Sequence, residues 1–146
     1  MSTIREKFLL IANFEQSQVK IMNDCVNNTS EVILDANREQ MLLGLDKNGK
    51  EILPEYKPFT RERKIEKGRD PDTVTLYDEG DFHRNMFMKN DGSKILIDSK
   101  DSKTDELMLK YNKQDTVLGI PEKAKTNINE SIMDKFINIF RLMTKL

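Results

Sequence analysis

Gly44-Leu45-Asp46-Lys47-Asn48-Gly49-Lys50-Glu51-Ile52-Leu53-Pro54-Glu55-Tyr56 and, further on, Thr75-Leu76-Tyr77-Asp78-Glu79-Gly80-Asp81-Phe82 decide how this chain is read. Asn48-Gly49 lies between short apolar segments, which is the composition of a hairpin turn. Pro54 and Pro58 keep the following backbone extended. Glu79-Gly80-Asp81 is a second turn. These stretches contain turns, short strands and charges, and they hold no nucleophile beside a base and no cluster at metal-ligand spacing. They read as construction rather than chemistry.

Working outward, helices flank this middle. Thr3-Ile4-Arg5-Glu6 has capping-box spacing, and Ile4, Phe8, Ile11, Ala12, Val19, Met22 and Val26 follow on one stripe. This predicts a helix over 4–25, closed by Asn27-Asn28. Ser30 starts a second helix with Val32, Ile33, Ala36, Met41 and Leu43 on its apolar side, and Gly44 ends it, so 4–43 reads as a helical hairpin. At the other end, Asn127-Ile128-Asn129-Glu130 repeats the capping-box spacing. Ile128, Ile132, Met133, Phe136, Ile139, Phe140 and Met143 then predict a helix over 127–146.

Between the helices, Thr60 caps a short helix over 61–67 that Gly68 closes. Thr73-Val74-Thr75-Leu76-Tyr77 has the composition of a strand, and residues 82–88 fit a second strand or a short helix. Asn90-Asp91-Gly92-Ser93 is a tight turn into a strand over 94–98. Together 44–98 reads as an extended, basic and β-meander region. Ser102 or Thr104 caps a short helix over 103–111, with Leu107 facing inward. The expectation is one α+β domain spanning 1–146. Its N-terminal helical hairpin and long C-terminal helix pack on a small antiparallel sheet.

Composition excludes some functions. The 146 residues carry a net charge of −1, so there is no whole-molecule attraction to nucleic acid. Cys25 is the sole cysteine and cannot form an internal disulfide. No apolar run has the length of a signal peptide or a membrane span, and no membrane partner is expected.

Four groups of residues invite a chemical reading. Asp78, Glu79, Asp81 and His83 crowd around Gly80 as a metal site would, but Asp, Glu and Gly also make an ordinary solvated turn. Asp46-Lys47-Asn48-Gly49 lacks the ligand spacing of a calcium loop. Pro71-Asp72 followed by Asp98-Ser99-Lys100 has the loose arrangement of a small Mg²⁺-dependent nuclease of the PD-(D/E)xK type. There two carboxylates would hold the metal and the lysine would orient water. The pattern is degenerate in a chain rich in Lys and Asp, and an ordinary strand end followed by a polar linker over 98–103 accounts for it better. Lys57, Arg61, Arg63, Lys64, Lys67 and Arg69 place six cations within thirteen residues, and they form the candidate interface for phosphates or an acidic neighbour. The competing reading is a solvated helix laced by pairs with Glu62 and Glu66. No catalytic residue, cofactor or metal ligand is assigned.

One set of motifs carries a resemblance. Arg38-Glu39-Gln40-Met41-Leu42-Leu43-Gly44 with Asp46, Gly49, Pro54 and Tyr56 forms a first block. Val74-Thr75-Leu76 with Asp78, Gly80 and Phe82 forms a second, in which Glu79 replaces a threonine. Ile97-Asp98-Ser99-Lys100-Asp101-Ser102-Lys103 with Leu107, Lys110-Tyr111 and Leu118-Gly119-Ile120 forms a third. Over residues 38–120 these blocks resemble a family of small virion proteins of phages and prophages of Bacteroides-type bacteria, crAss-like phages among them. The family is more distantly similar to phage neck and tail-completion proteins. The resemblance implies a non-enzymatic, ring-forming subunit of a head–tail connector, neck or tail. It would contact the portal or adjacent connector or tail proteins, touch packaged DNA at most nonspecifically, and assemble in the host cytoplasm into the virion.

Overall fold

The computed structural model describes residues 3–146. Among them are six α-helices and one two-stranded antiparallel sheet, so the chain is α+β. Helix α1 (Ile4–Asn28) opens on the expected capping box. Thr3 Oγ1 accepts the Glu6 N–H at 3.2 Å, and the Glu6 carboxylate accepts the Thr3 N–H at 2.6 Å. Each bond satisfies a donor that has no partner within the helix. The helix closes at Asn28 as expected, three residues beyond the expected end of its body at 25, and Thr29 alone separates it from α2 (Ser30–Leu42). The reason is a set of side-chain bonds at the joint. Thr29 Oγ1 donates to the Cys25 carbonyl at 2.8 Å, and Lys135 Nζ donates to Thr29 Oγ1 at 2.9 Å and to the Asn28 carbonyl at 3.3 Å. An ammonium at these last carbonyls also suits the negative end of the helix dipole.

Lys135 belongs to α6 (Lys125–Thr144), which follows a 3₁₀ turn at Glu122–Ala124. The helix starts earlier than its sequence implies. Asn127 and Glu130 lie inside it, Ala124 occupies the cap position and no side chain caps the end. Its apolar stripe is as expected except at Met133, which is exposed: Ile128 and Ile132 are buried, and Phe136, Ile139, Phe140 and Met143 pack on the core. α6 lies antiparallel along α1, since Phe14 meets Phe136 and Phe140 edge-on at 5.4 and 5.0 Å while Asn28 and Thr29 meet the earlier Lys135.

This pairing corrects the reading of α1. Its core face is Phe14, Ile21 and Cys25, with Met22 and Val26 beside them, whereas Ile4, Phe8 and Val19 are exposed. At 100° per residue the line through Ile4, Phe8 and Val19 runs roughly 100° around the helix from Phe14. α6 also ends four residues beyond Phe140, so the first turns of α1 extend past their partner. On α2 the core residues are Ile33, Leu34 and Met41, and Val32 and Leu43 face outward. Asn37, also fully buried, donates to the Val117 carbonyl at 3.0 Å and accepts the Gly119 N–H at 3.1 Å.

The sheet pairs β1 (Met86–Asn90) with β2 (Ile95–Ser99), Met86 opposite Ser99 and Asn90 opposite Ile95. Asp91 Oδ1 builds the turn between them, accepting from the Ser93 and Lys94 N–H groups at 2.9 Å each. Those bonds lower the Asp91 pKa to about 2. Both α1 and α2 contact β1. The third strand of the expected meander, 73–77, is absent. Val74 and Leu76 are both buried, as alternation demands, but Leu76 has φ +55 and no strand lies beside the segment. Residues 82–88 divide between α4 (Asp81–Arg84) and β1. α3 runs Pro58–Glu66 with Pro58 in its first turn, so Thr60 is inside the helix rather than its cap. α5 (Thr104–Tyr111) likewise starts without a side-chain cap from Ser102 or Thr104, and Leu107 packs on the core.

The Phe14 ring therefore governs the α1–α6 contact. Phe14→Ala is expected to cost about 3–5 kcal/mol, whereas Phe8→Ala at an exposed position changes stability by about 0.5 kcal/mol or less. Urea denaturation of the two variants checks this, and equal midpoints would show that Phe14 is not core.

Candidate functional site

The basic segment lies on α3 and the turn after it, and most of its cations are directed back onto the same chain. Arg61 pairs with Asp72 at 2.6 Å and donates to the Pro71 carbonyl at 3.3 Å. Lys67 pairs with Asp78 at 2.5 Å and Glu79 at 2.9 Å, and Arg69 reaches Asp78 at 3.3 Å. Lys64 is buried, with its ammonium bonded to the Tyr77 carbonyl and 5.1 Å from the centre of the Tyr56 ring. Arg63 stacks 5.9 Å over the exposed Phe59, and Lys57 is exposed at the cap position. Among the described residues, Glu62 and Glu66 form no ion pair. The partners of the cations are instead in residues 71–79.

The electrostatics follow from these contacts. The hydrogen bonds it donates to Asp78 and Glu79 hold the Lys67 ammonium above its ordinary pKa, and the bond from Lys67 holds Asp78 below the usual carboxylate range. Asp70 is lowered by the Thr73 hydroxyl, which donates to it at 2.7 Å, and by the Asp72 N–H at 2.8 Å. Tyr56 Oη accepts the Thr75 N–H at 3.0 Å. The 70–80 segment is thus clamped onto α3 by charges at its edges and by two buried side chains, Tyr56 and Lys64, at its centre.

A cleft of about 330 Å³ opens between α3, residues 76–82 and α5. Tyr56, Leu76, Phe82 and Tyr111 form its apolar part, and Tyr56 meets Tyr111 edge-on at 6.5 Å. Lys103, Lys110 and Glu106 are among the residues lining it. Its central ammonium, on Lys64, already binds a carbonyl, and its acids Asp78 and Glu79 already bind Lys67.

The other candidates separate in the same way. His83 is buried away from the neighbouring carboxylates. Its Nε2–H donates to the Thr75 carbonyl at 2.9 Å and its ring meets Tyr77 edge-on at 5.4 Å. Asp81 pairs with Arg84. Among the described residues, no three His, Cys, Asp or Glu side chains are grouped so as to hold a metal ion. Asp46 Oδ1 accepts the Asn48 and Lys50 N–H groups at 2.9 Å each, as a turn residue does. Asp72 is held by Arg61, Asp98 accepts the N–H of Ser99 at 2.8 Å, and the Lys100 ammonium lies 5.3 Å over the Phe87 ring.

Further features are legible in the sequence. No acid follows Asp134, so the exposed Leu142 and Leu146 have only cations, Arg141 and Lys145, among their charged neighbours on α6 and its tail. Leu42, Leu43 and Leu53 are exposed in a stretch that carries both Glu39, Glu51 and Glu55 and Lys47, Lys50 and Lys57, and an antiparallel bridge from Leu45 to Glu51 brings its two halves together.

Two outcomes test the clamp. Lys64→Met strips the Tyr77 carbonyl of its donor and is expected to cost about 1–3 kcal/mol. Lys64→Glu is expected to be worse, since it buries an unpaired charge. Lys57→Glu should leave the urea midpoint where it is, and equal shifts for Lys57 and Lys64 would disprove the clamp. Burial is the main cause that pushes the His83 pKa below 6.5. The unfolded chain then binds the proton more readily, so the stability tied to neutral His83 is intact above pH 6.5 and is lost as pH falls below it. Melting temperature should drop between pH 7 and pH 5, and less so in His83→Gln; an identical drop in both would remove His83 as the cause. Comparison with known proteins adds no identity: no protein-family model, no curated protein and no solved structure matches this chain.

Proposed function

We propose that this chain is a structural virion protein, a ring-forming subunit of a phage head–tail connector, neck or tail. Its partners would be further copies of itself and the portal or adjacent connector or tail proteins. The observation that carries this reading is the large apolar surface left uncovered in two separate places. The first turns of α1 and the end of α6 expose Ile4, Phe8, Leu9, Leu142 and Leu146. Elsewhere Leu42, Leu43 and Leu53 are exposed near one another, because the Ile52 N–H bonds to the Gly44 carbonyl at 2.9 Å. Large apolar side chains grouped as Leu42, Leu43 and Leu53 are, exposed beside one another, are what a contact surface offers. Two unlike faces are what a ring subunit requires.

The resemblance over residues 38–120 supports the same reading, and its matched residues serve the fold. Asp46 and Gly49 make a turn, the Tyr56 hydroxyl holds Thr75, and Phe82 is in the core. Gly80, at φ +87, sits so close to Tyr77 that an added Cβ would lie 3.0 Å from its ring. Contact with packaged DNA would fall to Lys57 and Arg63, the cations of the segment that have neither a carboxylate nor a carbonyl partner among the described residues.

Mass spectrometry and cryo-EM of purified phage particles test the proposal. The chain is expected in several copies at the portal vertex or tail, and particles that lack it would overturn the reading. Incubation of the purified protein with single- and double-stranded DNA and Mg²⁺ or Mn²⁺ should leave the DNA intact. Cleavage that disappears in both Asp72→Ala and Asp98→Ala would establish a nuclease instead.

A further inference from the structure

We infer that the cleft between α3, residues 76–82 and α5 is a binding site for a small aromatic acid, and that Lys64 receives its carboxylate. The assignment concerns a single copy of the chain and stands apart from the virion reading.

The buried lysine carries the argument. Lys64 is only 7% exposed, and an ammonium has three N–H groups to place. One goes to the Tyr77 carbonyl, and among the described residues the others have no acceptor. The centre of the Tyr56 ring lies 5.1 Å from the ammonium. Tyr56, Lys64 and Tyr77 all line the cleft, so the charge is held at its wall. Among the described residues, no carboxylate is within ion-pairing distance of Lys64. Asp78 lies within reach of its field, but its carboxylate is already bonded to Lys67 and Arg69. A cation withdrawn from water without a counter-ion is costly, and an anion seated in the cleft would both balance it and accept its spare N–H groups.

The remaining charges favour the same sign of ligand. Five acids line the cleft, but Asp78, Glu79 and Asp81 are paired with Lys67, Arg69 and Arg84, which are not among its lining residues. That leaves Asp101 and Glu106 against four lining cations, Arg63, Lys64, Lys103 and Lys110. Two of these are ordered by rings: Lys110 Nζ lies 5.0 Å from the Tyr111 ring centre, and Arg63 lies over Phe59. Cations held in place before the ligand arrives lose less freedom when it binds.

The apolar part fixes the rest of the ligand. Tyr56, Phe82 and Tyr111 offer ring edges and faces, which an aromatic partner meets in the favoured edge-on or offset geometry. The volume of about 330 Å³ is roughly twice the ~150 Å³ that accommodates benzene inside a protein. Two fused rings with one acid group match that space.

Isothermal titration calorimetry of the full chain with 2-naphthoate, and with its neutral isostere 2-naphthamide, tests the site. The acid should bind one to one with a Kd below about 1 mM, and the amide about tenfold more weakly or worse. Lys64→Met, required to match the parent's circular dichroism, should bring the acid down to the level of the amide and leave the amide unchanged. Should that variant not fold, Lys103→Gln with Lys110→Gln on the rim should raise the Kd of the acid several-fold and leave that of the amide in place. Thr60→Trp, which fills the cleft from α3, should abolish binding of both. A parent without saturable 2-naphthoate binding in this range overturns the inference, and so does an amide that binds as tightly as the acid. The same holds if the folded Lys64 variant or the rim double variant keeps the parent's preference for the acid, or if Thr60→Trp binds unchanged.

Discussion

Both backbone polar groups of Thr75 are satisfied by side chains, its N–H by Tyr56 Oη and its carbonyl by His83 Nε2. The middle of the molecule depends on this arrangement. Buried peptide groups need partners, and a strand ordinarily finds them on a neighbouring strand. Here the partners come from one residue just before α3 and one in α4, with Lys64 of α3 taking the Tyr77 carbonyl. That choice fixes the spacing of α3 and α4 on either side of the segment and leaves room for the cleft beside α5. It also explains the burial of a lysine, which is tolerated where its ammonium has a carbonyl and a ring face to meet.

The parts of the fold that were legible in the sequence are those decided by short-range rules. α1, α2 and α6 were visible as apolar periodicities, the first cap as Thr3 with Glu6, and the β-hairpin as Asp91-Gly92 between apolar runs. What was not legible depends on which element lies alongside. Ile4, Phe8 and Val19 form as regular a stripe as Phe14, Ile21 and Cys25, and only the position of α6 makes the second one the core. Thr73–Tyr77 has strand composition and even the two-residue alternation of burial, yet side chains from distant positions replaced the partner strand. The cap expected at Asn127 was superseded by a helix that begins earlier, continuing from the 3₁₀ turn.

The candidate site shows the same division. Six cations close together are evident from composition, but their destinations are set by the fold around them. Arg61, Lys67 and Arg69 meet acids that lie 9 to 12 residues further along. A charge count treats these as free positive charge, although in the folded chain most of it is matched locally.

Asn37 has a consequence for how the chain reaches this state. Its amide on α2 is fully buried and bonded to Val117 and Gly119, 80 and 82 residues later. On a ribosome the N-terminal helices emerge long before those partners exist, and Phe14 must wait longer still for Phe136 and Phe140. During that interval a helical segment would carry an amide that cannot enter an apolar interior without loss, next to apolar side chains that have nothing to cover them. Closure of such distant pairs is late and slow compared with local helix formation. The first hundred residues therefore emerge as loosely held helices and a hairpin, and the interior is sealed only when the last helix is released.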